Sequence, residues 1–260
     1  MSALIHGIFD SHAHYDDARF DEDRDALLSS LPGKGVCGII DIGCDLESSR
    51  KAVALAEKYP YVWAAVGYHP EQAALRTDEG VAELRQLLSH PKVVAIGEIG
   101  LDYYWPEPDH ETQKRVLIEQ LKLARELQKP VILHVRDASE DALTILKAHP
   151  VRGVMHCFSG SPETAREVLK LGLYIGFTGV LTFKNARKPV EACAAVPLDR
   201  LLLETDCPYM APTPYRGQRC WSPMIEQTAA RAAEIKGVST QELVNAAREN
   251  TLSLFQITLP

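Results

Sequence analysis

VVAIGEIGLD, residues 93–102, opens as an aliphatic run, Val93–Ile96, and closes on acids set among glycines. A run with no polar alternation reads as a parallel strand covered on both faces. Its polar ending, Gly97-Glu98-Ile99-Gly100-Leu101-Asp102, places functional groups where the strand stops. The same design recurs along the chain. Short apolar runs at Leu4–Phe9, Gly38–Ile42, Val62–Val66, Val131–Leu133, Gly153–Met155, Leu173–Phe177 and Leu201–Leu203 complete a set of eight. Between them lie amphipathic stretches: Asp21–Leu31, Glu47–Lys58, Thr77–Ser89, His110–Gln128, Ala138–His149, Pro162–Leu171 and Ala186–Ala195. After the last run come a Pro-rich loop, Pro208–Pro214, and two further helical segments, Met224–Lys236 and Thr240–Arg248. Strand and helix alternate without a linker or a break in composition. The expectation is one α/β domain spanning residues 1–260, a (β/α)8 TIM barrel. An open doubly wound sheet is the competing arrangement. No G-x-G-x-x-G or G-x-x-x-x-G-K-[ST] follows any strand, which argues against a nucleotide fold.

In a barrel, the C-terminal ends of the strands converge on one face. The first run leads into Asp10-Ser11-His12-Ala13-His14, the third into His69, and the fourth into Glu98 and Asp102. The fifth delivers His134 and Arg136, the sixth His156, and the eighth Glu204-Thr205-Asp206. His12 and His14 stand two apart in an extended segment and so project to one side. Neutral imidazoles in such a pair suit a transition-metal ion. Joined by Glu98, His134, His156 and Asp206, they exceed what one open metal site needs. Two divalent ions sharing a carboxylate is the economical reading, with Glu98 as the bridge. The histidines favour Zn or Mn, whereas the carboxylates also admit Mg. Asp10 and Asp102 are candidates for orienting the histidines. His6, His90, His110 and His149 read as surface residues. Tyr103, Tyr104 and Trp105 could stack a base or sugar, or simply cover the barrel mouth.

Composition limits the alternatives. The 260 residues are 46% hydrophobic and 24% charged, with a net charge of -7. That balance speaks against a protein that coats nucleic acid by neutralising many phosphates. The six cysteines include no C-x-x-C pair, which fits buried thiols in a reducing compartment. The N-terminus lacks a basic region followed by an apolar one, and no apolar run approaches membrane-spanning length. A cytoplasmic protein with no membrane association and no obligate protein partner is expected.

Seven segments resemble the TatD-type deoxyribonuclease family, within the metal-dependent, amidohydrolase-like barrels. They are DSHAH (10–14), GYHP (67–70), GEIGLDYYW (97–105), PVILHVRDA (130–138), HCFSG (156–160), LLLETDCPYMAPTPYRG (201–217) and ENTLSLF (249–255). The resemblance runs in order from the first strand to the C-terminus. It implies a distorted (β/α)8 barrel with His12, His14 and Asp206 on one ion, Glu98 bridging, and His134 and His156 on the other. It implies divalent-cation-dependent hydrolysis of DNA phosphodiesters, typically from a 3′ end. One departure stands out: where the family carries Asn and an acid after the Arg-Gly segment, this chain has Cys220-Trp221.

In the expected reaction a metal-activated hydroxide attacks phosphorus, with Asp206 as general base. His69, Arg136 and Glu204 are candidates for orienting ligands or touching the phosphate, and Arg216 for touching the substrate. Arg219, Lys184 and Arg187 lie in loops where barrels often hold phosphate. The leading alternative keeps the enzyme but exchanges DNA for a small phosphoester, ester or amide, to which an acidic protein is suited. A non-enzymatic metal- or nucleic-acid-binding protein that retains the barrel is the third reading.

Overall fold

The computed structural model describes residues 5–260. Eight strands form one sheet in sequence order, every neighbouring pair parallel. They are β1 (Ile8–Ala13), β2 (Val36–Ile42), β3 (Val62–Val66), β4 (Val93–Asp102), β5 (Val131–Arg136), β6 (Gly153–Met155), β7 (Tyr174–Phe177) and β8 (Leu201–Leu203). The barrel reading holds and the open sheet is excluded, because β8 returns to β1. Closure there is irregular. One bridge, Ala13 to Cys207, replaces a ladder, supported by the backbone bonds His14 N–H to Cys207 O and Asp206 N–H to His12 O. The Asp10 carboxylate completes the seam, accepting from the Thr205 N–H and hydroxyl and from the Ser222 hydroxyl. Asp10 therefore joins first strand to last and does not orient a histidine ring.

Several strand boundaries differ from the sequence reading: β2 begins at Val36, β5 runs on to Arg136, β7 begins at Tyr174, and the largest differences fall at β1 and β4. The first strand is Ile8–Ala13, so it runs through the His-containing segment; Leu4 of the expected Leu4–Phe9 run lies outside the described residues. Strand β4 continues to Asp102 with every residue buried. The glycines allow that extension: a Cβ on Gly97 would strike Ile132, and one on Gly100 (φ 154°) would overlap the carbonyl of His134. Register shifts fall between Asp10 and Ala13 and between Ile96 and Ile99. These irregularities bracket His12 and Glu98, and bulges of this kind re-aim side chains.

Helices α1 (Arg24–Ser30), α2 (Leu46–Lys58), α3 (Asp78–Leu88), α4 (His110–Leu127), α5 (Ser139–Ala148), α6 (Pro162–Lys170), α7 (Arg187–Ala195), α8 (Ile225–Lys236) and α9 (Thr240–Phe255) surround the barrel. Polar caps set several starts: Asp45, Thr77, Asp109, Ser161 and Ser239 each accept a backbone N–H of the first turn. The expected final helix, ending at Arg248, extends to Phe255 because its last turn has a buried surface to cover. Leu254, Phe255 and Ile257 join Phe9, Ile40, Trp63, Ile132 and Leu202 in a second apolar cluster, separate from the layer between strands and helices. The chain end thus plugs the barrel. Phe255→Ala should destabilise the fold by about 3–5 kcal/mol, the usual cost of emptying a buried aromatic site; denaturant melts would measure it. Among the described residues, no helix is long and apolar enough to cross a membrane.

Candidate metal centre

Strand ends bring the expected residues together. The Nε2 atoms of His12 and His14 lie 3.1 Å apart. Asp206 Oδ1 is 3.6 Å from the first and 3.5 Å from the second. Glu98 Oε2 is 3.3 and 3.7 Å from the same two nitrogens. Its other oxygen, Oε1, faces a second group: His156 Nε2 at 2.7 Å, His134 Nδ1 at 2.9 Å and His69 Nε2 at 3.6 Å. One buried carboxylate therefore divides its oxygens between two clusters of imidazole nitrogen.

Hydrogen bonds on the far side of each ring decide which nitrogen faces the cavity bare. His14 Nδ1 lies 2.9 Å from the Ile42 carbonyl, which can only accept, so Nδ1 carries a hydrogen and Nε2 is the atom turned toward the site. His134 places Nε2 2.8 Å from Asp102 Oδ2, leaving Nδ1 to face Glu98. Asp102 thus orients a ring, as the sequence suggested. Nitrogen and carboxylate oxygen atoms this close need a proton or a cation between them, and three imidazole–carboxylate groups bring such atoms together: His12/His14/Asp206, His12/Glu98/His156 and His69/Glu98/His134. The donor set fits divalent metal. His69 differs from the others. Its Nδ1 accepts the Glu71 N–H at 3.2 Å, so the neutral ring points Nε2–H toward Glu98.

Charge follows the same plan. Burial works to neutralise the Glu98 carboxyl, but His156, His12 and His69 outweigh it and hold it well below the usual carboxylate range. Burial, and then His156, lowers His12 to about 4. Burial also lowers His69 to about 3. For His134 burial pulls downward, but the bonds to Asp102 and Glu98 win and hold it at about 9. Asp206, despite burial, is lowered by His14 and His12 and stays ionised. Its backbone is left-handed, φ 60°, an uncommon state for a non-glycine residue; its N–H is tied to the His12 carbonyl.

These groups open onto a cavity of about 700 Å³. Arg136 lines it, its guanidinium 3.7 Å from the Tyr104 ring centroid. Among the described residues it is the one lysine or arginine on a wall that also carries Asp16, Asp17, Asp45 and Glu71. Other candidates lie elsewhere. Glu204 is fully buried and off the wall; its Oε2 accepts the Cys157 N–H at 2.9 Å and lies 3.8 Å from His156 Nδ1. Burial raises its carboxyl to about 8. It backs a site histidine and does not reach the cavity. Arg216 stacks on Phe183 at 3.7 Å, Arg219 pairs with Asp23 and Arg187 with Glu191; like Lys184, none lines the cavity. Cys220 is buried and Trp221 packs beneath Lys34, so the Cys220-Trp221 departure belongs to the seam around Ser222 and not to the cavity wall. His6, His90, His110 and His149 are off the wall, as expected. All six cysteines are free thiols. Cys44 and Asp45, unforeseen, follow β2 as the other site residues follow their strands, so strand-end position alone would have found them. Asp16 and Cys157, beside known ligand candidates, carry no motif of their own.

Comparison with known proteins agrees with this geometry. Residues 9–256 match the family described as TatD related DNase. The chain is 42% identical over 253 residues to an uncharacterized metal-dependent hydrolase, YabD, of Bacillus subtilis (strain 168), covering 96% of this chain and 99% of that one. It is 39% identical over 237 residues to the 3′-5′ ssDNA/RNA exonuclease TatD of Cronobacter sakazakii, covering 86% and 89%. The crystal structure of YjjV, a TatD homologue from Escherichia coli K12, superposes with a TM-score of 0.92 at 36% identity, covering 98% and 100%. An organophosphorus hydrolase variant from Deinococcus radiodurans, 16% identical with a TM-score of 0.60, shares the fold. With its strand-end cluster of histidines and carboxylates, the chain belongs to the TatD-related DNase family and is a metal-dependent hydrolase.

Proposed function

We propose that the protein is a deoxyribonuclease that removes nucleotides from a 3′ end with the help of two divalent metal ions. The observation that carries this is Glu98, whose two carboxylate oxygens face separate imidazole clusters. His12, His14 and Asp206 would hold one ion, His134 and His156 the other, with Glu98 shared. Bound there, the ions supply a water of lowered pKa and charge neutralisation at phosphorus and at the leaving 3′-oxygen. The remaining work falls to side chains. Asp206, ionised and facing the cavity, takes the proton of the attacking water. His69 Nε2–H donates to a phosphate oxygen, and Arg136 pairs with the phosphate charge. Asp102 and the Ile42 carbonyl keep the His134 and His14 rings in the tautomers that ligation needs.

Loading the second cluster should release protons. His134, held at about 9, is an imidazolium at neutral pH and must lose its Nδ1 hydrogen to ligate. Apparent affinity should rise with pH, by roughly ten-fold per unit, and level off near 9. Calorimetry at pH 7.5 in buffers of different ionisation enthalpy would report it. A proton count of zero would contradict the assignment.

A wall that carries several acids and, among the described residues, no lysine or arginine but Arg136 favours a second reading, a small phosphoester as substrate. Cleavage of a 3′-recessed oligonucleotide against a generic phosphoester, each with and without chelator, separates the two. Chelator-sensitive trimming of the oligonucleotide supports the nuclease. Turnover of the phosphoester alone supports the second reading.

A further inference from the structure

Large apolar side chains left exposed gather at one end of the molecule. Among the described residues they are Leu75, Tyr104, Trp105, Tyr209 and Met210, and all lie on loops that follow β3, β4 or β8 at the mouth of the barrel. Tyr209 and Met210 line the cavity itself, and Tyr104 adjoins it through Arg136; exposed apolar surface beside a cavity marks a binding face. The three aromatics after β4 are not equivalent. Tyr103 is spent internally: its ring lies 3.6 Å from that of His110, and its hydroxyl donates to Asp141 at 2.7 Å. Tyr104 and Trp105 remain 54% and 47% exposed. Their rings meet at 89° with centroids 4.8 Å apart, which makes an L-shaped notch. The Arg136 guanidinium covers part of Tyr104 and lines the cavity. The notch is fixed to the metal centre, because Asp102 accepts the Tyr104 N–H at 2.9 Å and the His134 Nε2–H at 2.8 Å.

The chemistry that fits such a notch is a flat, uncharged ring attached to a single anionic group. We propose that Tyr104, Trp105 and Arg136 form a stacking subsite for one unpaired nucleobase, with Arg136 placed for the phosphate beside it. This rests on the nuclease reading and names the side chains that would take the unpaired terminal base. It also accounts for an acidic protein that works on nucleic acid. Stacking replaces the multi-phosphate contact that Asp16, Asp17, Asp45 and Glu71 would repel.

The test combines a substrate change with a protein change. On a single-stranded pentanucleotide, Trp105→Ala should raise KM by about ten-fold, the scale of one base–aromatic stack, and Trp105→Phe should restore most of the loss. A pentanucleotide whose 3′-terminal residue is abasic should show the same rise with the wild-type enzyme and no further rise with Trp105→Ala. A second readout needs no turnover: in EDTA, titration with pentathymidylate should saturably quench tryptophan fluorescence, and Trp105→Phe should abolish the quench, since Trp63 is buried and Trp221 packs beneath Lys34, off the cavity wall. Equal losses on normal and abasic substrate, or no quench, overturn the subsite. Saturable quenching without cleavage by the metal-loaded enzyme counts against the nuclease reading and leaves the subsite standing.

Discussion

Glu98→Gln should remove both the activity and the ability to hold a full complement of metal. The side chain is 3% exposed and stands within 3.7 Å of five imidazole nitrogens. An amide keeps the shape but loses the charge that holds two clusters together. It also turns an N–H₂ donor toward the lone pairs of one of them. Loss of an outer orienting partner alone typically costs 10–100-fold, and a shared ligand should cost at least ~10³-fold in kcat/KM. Elemental analysis should find the variant short of metal. Added divalent metal should raise the melting temperature of the wild type and leave the variant's little changed. A variant with wild-type metal content and rate would remove Glu98 from the centre of the site.

The second large effect belongs to Asp206→Asn. Asparagine keeps an oxygen where Oδ1 stands, 3.5 Å from His14, so metal should still bind. What disappears is the basic carboxylate, and kcat should fall by about 10²–10⁴-fold, the usual contribution of a positioned proton acceptor. KM should move much less. If hydrolysis persists at the wild-type rate, the water's proton goes elsewhere and the assignment of Asp206 as base is wrong.

The residues changed in both variants could be read from the sequence. His12, His14, Glu98, His134, His156 and Asp206 were legible because a barrel gathers strand ends, and each stands at or near one. Glu204 could be read only in part: it backs His156, as an orienting residue would, but does not reach the cavity. It sits two residues before Asp206, so a period of two would aim both at the cavity. Asp206, however, has left the extended conformation at φ 60°, and Glu204 lies fully buried where Gly176 leaves it room. Asp10 shows the converse. Its neighbours suggested the metal centre, but its partners, Thr205 and Ser222, are 195 and 212 residues distant. Arg216 and Arg219 could not be placed from sequence at all, because a loop's position does not say which ring or carboxylate a long side chain will choose.

The seam between first and last strands also has a consequence in time. Glu98, His134 and His156 come from three successive strands, so their half of the centre needs only contacts between neighbouring segments of chain. The half built on His12, His14 and Asp206 waits for β8 to reach β1, and the plug beneath it waits for Phe255 near the C-terminus. Contacts of such long sequence separation form late and slowly. A chain emerging from the ribosome would therefore carry one half-site before it could form the other. Its hydrolytic chemistry would begin only once the barrel had shut.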